Sequence, residues 1–144
     1  MIEQDTIKLL RECDAGIKMG IASIDDVADH VKNGELHRKL ADCRAEHAQL
    51  QTEIRKLLEQ YKDDGKNPNP IAKGMSWMKT NMKMGWDESD ATVADLLTDG
   101  CDMGMKSLYR YLNQYKDADQ ESIAIAKRLI DIEAKLEAEL RKYL

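Results

Sequence analysis

Four ionisable residues stand where a helical bundle wants hydrophobes, and together they could hold a metal ion or pair with one another. His47 interrupts the series Leu36, Leu40, Cys43, Leu50, Ile54, Leu57, Tyr61; Glu133 lies between Leu129 and Leu136; Asp14 lies between Leu10 and Ile17; Asp102 sits beside Cys101 in a stretch that copies the one around Asp14. Carboxylates and an imidazole are hard or borderline ligands that suit iron, manganese or zinc. A carboxylate buried alone costs several kcal/mol, so such residues demand a cation, a proton or each other. The plainer reading of the same layer is a hydrogen-bonded, salt-bridged cluster that fixes helix register. Cys13, Cys43 and Cys101 flank these positions and read as packing or as neighbours of the layer.

The elements that must position these residues are helices. From Thr6 to Val31 the apolar residues Ile7, Leu10, Ile17, Ile21, Ile24, Ala28 and Val31 recur at steps of three and four, which predicts a first helix capped by Asp5 or Thr6. Asn33-Gly34 reads as its left-handed C-terminal stop, and a second helix runs from Glu35 to Tyr61. KDDGKNPNP, from Lys62 to Pro70, gathers both prolines and is a connection. Ile71, Met75, Met78 and Met82 then predict a short amphipathic helix ending near Gly85. Two further helices follow, from about Ser89 to Tyr115 and from about Asp119 to the end. The 25 residues from Lys62 to Trp86 are long enough to traverse a bundle, which leaves the second and third helices parallel.

The two halves share motifs. Cys13-Asp14-Ala15-Gly16-Ile17-Lys18 and Cys101-Asp102-Met103-Gly104-Met105-Lys106 both read C-D-x-G-x-K, at an offset of 88. Ala48 to Leu58 and Ala134 to Leu144 both read A-x-L-x-x-E-[IL]-R-K-x-L, at an offset of 86. Two motifs in one order at nearly one offset indicate a helical hairpin used twice, with hairpins over about 5–62 and 88–144 and a crossover over 63–87 in a single domain, 1–144. The second offset carries His47 onto Glu133. Asp14, His47, Asp102 and Glu133 are therefore expected to meet at similar heights, one from each helix. Gly16, Gly20, Gly100 and Gly104 are expected to let helices approach closely.

The doubled hairpin, the long crossover and the mid-bundle polar layer resemble the ferritin-like superfamily, in particular its small bacterial domain families of unknown function. The resemblance covers nearly the whole chain and implies an all-α four-helix bundle. In metal-binding members the first and third helices each supply one Glu, and the second and fourth each supply a Glu-x-x-His. By that resemblance Asp14 and Asp102 stand near the single-carboxylate positions, and His47 and Glu133 near the histidine positions. Arg44 and Ile130 replace the paired carboxylates, so at most four ligands remain of six. A mononuclear or empty site is implied over a di-iron oxygen-activating one.

Composition excludes other classes. Aromatic residues make up 5% with no Phe, which argues against a sandwich or barrel. A net charge of -5 argues against a nucleic-acid groove, which needs excess Lys and Arg on one face. The N-terminal residues lack a secretory signal pattern, there is no apolar run of membrane-spanning length, and three cysteines without CxxC suit a reducing cytoplasm. No G-x-S-x-G, phosphate loop or HExxH is present, so an enzyme is not the favoured reading. The leading expectation is a non-catalytic cytoplasmic bundle with a structural or degenerate metal layer and no cofactor. Its rivals are an Fe, Mn or Zn protein using those four residues, and an interaction module. The last would use Met75, Met78, Met82, Trp77, Met84 and Trp86 of the crossover against a protein partner or a second copy.

Overall fold

The computed structural model describes residues 2–68, 84 and 89–144. Four helices account for most of them: α1 (Ile2–Ala28), α2 (Gly34–Gln60), α3 (Asp90–Gln114) and α4 (Gln120–Leu140), with a 3-10 turn over Arg141–Tyr143. The short crossover helix expected over Ile71 to Met82 lies outside the described residues. No described helix is long and apolar enough to cross a membrane.

Local chemistry sets the helix starts. Ser89 caps α3 by accepting from the Thr92 amide at 3.2 Å, and Asp119 caps α4 by accepting from the Ser122 amide at 2.8 Å, at the helix starts that the sequence predicts. One expected stop and one expected start are corrected. Asn33 does not end α1 in a left-handed turn; its φ is -77° and its side chain accepts from the Leu36 amide at 3.0 Å, which makes it the N-cap of α2. Asp5 and Thr6 do not cap α1, because α1 already begins at Ile2. They reach instead across the bundle, where Asp5 accepts from the Asp117 amide at 3.0 Å and Thr6 from the Asp119 amide at 2.8 Å.

Those contacts also give the helix directions. Thr6 meets Asp119 at one end of the bundle while the Lys32 and Asn33 amides meet the Asp90 carboxylate at the other, so α1 and α3 are antiparallel. Glu46 with Lys135 and Glu53 with Arg128 hold α2 and α4 antiparallel in one register, and Glu35 reaches Lys142 in the turn beyond α4. With the two hairpins antiparallel, α2 and α3 run parallel, the consequence expected of the long crossover. Helix α1 packs on α2, α3 and α4, whereas α2 and α3 lie diagonally apart with no contact among the described residues.

The core falls into two apolar clusters stacked along the bundle. Leu9, Leu10, Ile17, Leu50, Ile54, Leu108 and Leu129 lie in one, and Ile24, Val27, Leu36, Leu40, Val93, Leu97, Leu136 and Leu140 in the other. Burying each such Leu or Ile contributes roughly 1.5–3 kcal/mol relative to exposure. The clusters part at one level on every helix, between Ile17 and Ile24, Cys43 and Leu50, Cys101 and Leu108, and Ile130 and Leu136. Gly20, His47, Gly104 and Glu133 occupy that level.

Candidate functional site: a buried histidine-glutamate layer

His47 is 1% exposed and Glu133 9%, and their side chains meet at 2.9 Å between Nε2 and Oε1. The two residues that the sequence offset equates are thus each other's partners. On its other side the ring's Nδ1 lies 2.8 Å from the Cys43 carbonyl oxygen and 3.5 Å from the Cys43 sulfur. A carbonyl and a carboxylate are both acceptors, so a ring with a hydrogen on each nitrogen, an imidazolium, satisfies both contacts. Burial works against that charge, but the hydrogen bonds to Cys43 and Glu133, with the Glu133 charge, outweigh it and push the His47 pKa up to about 10.

Glycines shape the remaining two sides. A Cβ on Gly20 would stand 2.8 Å from His47 Nε2 and 3.0 Å from its Cδ2, closer than real side chains come. Only glycine lets α1 close over the ring. A Cβ on Gly104 would meet Glu133 at an ordinary 3.8 Å. Gly16 and Gly100 are exposed, and among the described residues they do not bring helices into close approach. They line a cavity of about 410 Å³ between α1 and α3, whose floor is His47, Glu133 and Cys101. Burial, then the Glu133 charge and a hydrogen bond to it, raises the Cys101 thiol well above its ordinary range.

Asp14 is buried but belongs to another place. It lies six residues before Gly20 on α1, roughly 9 Å along the axis at about 1.5 Å per residue. Its Oδ2 pairs with Lys18 at 2.8 Å and accepts from the Lys66 amide at 3.1 Å, while its buried Oδ1 has no hydrogen-bond partner among the described residues. Gly65, at φ 87°, lies so close to Asp14 that a side chain there would collide with the carboxylate. Lys18 also donates to the Lys66 carbonyl and to Asn67, Arg11 pairs with Asp63 at 2.7 Å, and Lys66 pairs with Glu12. The whole group ties the turn after α2 onto α1.

Asp102 requires a correction, because it is exposed on α3 and does not face the interior. Its side chain hydrogen-bonds Glu137 on α4, and that bond, with partial burial and the nearby charge, raises the Glu137 carboxyl. The expected layer of Asp14, His47, Asp102 and Glu133 is therefore not one layer. No group of three or more His, Cys, Asp or Glu among the described residues is arranged to hold a metal ion. The residues that sequence reasoning did not join to the layer are Gly20, Gly104 and, as a direct partner of His47, Cys43. The signal for Cys43 was its spacing, one turn before His47 on the same inward stripe.

Arg44, three residues before His47, points outward to Asp25 in a two-bond pair at 2.7 and 3.1 Å, and Ile130 is buried among apolar neighbours. Neither position offers a ligand. Compared with protein-family models, characterised proteins and solved structures, the chain has no match. The class defined by fold and site is an all-α four-helix bundle with a buried histidine-carboxylate pair at mid-height.

Proposed function

We propose that this protein is a non-catalytic ferritin-like bundle, built from a duplicated hairpin and working in a reducing cytoplasm, in which the His47–Glu133 pair is a structural register pin. The observation that carries this reading is the occupation of both His47 nitrogens, Nδ1 by the Cys43 carbonyl and Nε2 by Glu133. A ring in that state has no lone pair for a metal ion. The parallel second and third helices and the meeting of His47 with its repeat counterpart support the ferritin-like, duplicated ancestry. Six positions of α2, from Leu36 to Ile54, and their counterparts 86 residues on in α4 are buried alike.

A buried pair of this kind specifies alignment more than it stabilises, since well-packed hydrophobes often do as well. Slipping α4 against α2 by one turn would leave both charges in apolar surroundings. Elemental analysis of untagged protein purified without chelator tests the reading, together with melting curves with and without added iron and zinc. It predicts less than a tenth of an equivalent of metal, an order-of-magnitude bound of roughly 0.1, and an unchanged melting temperature. Near one equivalent of iron, manganese or zinc, lost in His47→Ala, would establish the metalloprotein instead.

A further inference from the structure

The three thiols occupy three different environments. Cys13 is 0% exposed inside the apolar cluster, where burial, then the charges of Glu12 and Asp14, push its pKa up to about 12. Cys101 is 3% exposed and faces a carboxylate that opposes ionisation. Cys43 is 6% exposed, and its sulfur lies 3.5 Å from Nδ1 of His47, whose Nε2 is in turn held by Glu133 at 2.9 Å. A thiol, an imidazole beside it and a carboxylate orienting the imidazole form the arrangement that activates sulfur nucleophiles. The imidazolium Nδ1, whose hydrogen goes chiefly to the Cys43 carbonyl at 2.8 Å, also lies 3.5 Å from the sulfur, and its positive charge stabilises the negative charge that must build there.

Access comes from the opposite side of the bundle to the α1–α3 cavity. Cys43 lines an open depression of about 310 Å³ between α2 and α4. Arg38 and Lys39 on α2 and Lys135 on α4 edge it, interleaved with Glu46 and Glu139. That volume admits hydrogen peroxide and small thiol reagents. Cys13 and Cys101 do not line it.

We propose that Cys43 is a modification site, a thiol activated by His47 and Glu133 that reacts with hydrogen peroxide entering through the α2–α4 depression. The Cys43 thiol gives its proton to solvent, the thiolate attacks one peroxide oxygen, and an S–O bond forms as the O–O bond breaks. The departing hydroxide takes the His47 Nδ1 proton and leaves as water. Sulfur is oxidised by two electrons to the sulfenic acid, the peroxide is reduced, and solvent returns a proton to His47. His47 protonates the leaving oxygen, and Glu133 acts as the positioning residue that holds His47.

The test is site-resolved labelling of the folded full chain, treated with hydrogen peroxide and dimedone and mapped by peptide mass spectrometry. A parallel sample is alkylated with iodoacetamide to compare the three thiols directly. Cys43 should carry both labels at least about tenfold faster than Cys13 and Cys101, and His47→Gln should slow it by about tenfold under conditions in which urea curves show the variant still folded. Equal rates at all three cysteines, the pattern of labelling through global unfolding, would overturn the proposal. So would an unlabelled Cys43 in folded protein whose denatured form labels fully. The ranking needs no variant, so it stands even where His47→Gln fails to fold.

Discussion

Glu133 and Asp14 are both carboxylates buried to within a tenth of full exposure, yet their partners come from different levels of the structure. Glu133 is answered by His47, 86 residues away on another helix. Asp14 is answered by Lys18, one turn along its own helix, and by a backbone amide of the turn after α2. The first pair therefore fixes two helices against each other at mid-height, and the second fixes the turn after α2 to the middle of α1. Burial alone does not tell what a charged residue does; the element that supplies its partner does.

The comparison is broken most forcefully at the pair itself. Removing one member by His47→Leu or Glu133→Leu strands the other charge and should cost about 3–5 kcal/mol in urea unfolding. The double variant should recover most of that loss, since no charge is then left alone. Singles that cost under about 1 kcal/mol would show the pair to be uncoupled from the fold.

Gly20→Ala drives a methyl against His47 and should cost about 1–3 kcal/mol by the same measurement, despite the better helix propensity of alanine. The pH dependence sharpens the same point. The native pKa of His47 is raised from 6.5 to about 10, so the stabilisation is fully present below pH 6.5 and is lost as pH rises through 10. Between pH 6 and pH 8 the parent should lose about 2 kcal/mol, and the His47→Leu/Glu133→Leu double variant should lose none of it.

Asp14→Asn should have the smallest effect, about 1 kcal/mol, because Lys18 keeps the Lys66 carbonyl and Asn67 as partners. Its signature is local. Amide hydrogen exchange should quicken over residues 63–67 and stay unchanged at His47, whereas Glu133→Leu should do the reverse.

Helix periodicity made α1 to α4 legible, along with the helix starts near Ser89 and Asp119 and the inward placement of Asp14, His47 and Glu133. It failed at Asp102 for a physical reason. The two C-D-x-G-x-K copies carry the same letters, but α1 packs on three helices and on the turn at 63–66, whereas α3 packs on α1, on α4 and on the short turn that follows it. The wider contact surface of α1 buries both Cys13 and Asp14; on α3 only Cys101 goes in. A sequence repeat transmits residue types and cannot transmit neighbours. Height was illegible for the same reason, because it depends on how far each helix slides along the others. The glycines were visible, and what they make room for was not: Gly20 accommodates a ring from α2, which no pattern within α1 encodes.

The central claim is that His47 is a charged ring held between two acceptors. Long-range nitrogen-proton correlation spectra of the histidine side chains at pH 8 test it most directly, with His47→Gln assigning the signal. The account predicts that both His47 ring nitrogens remain protonated there, while His30 and His37 report their own states in the same spectrum. A His47 ring with one bare nitrogen at pH 8 would contradict the imidazolium, and with it the register pin.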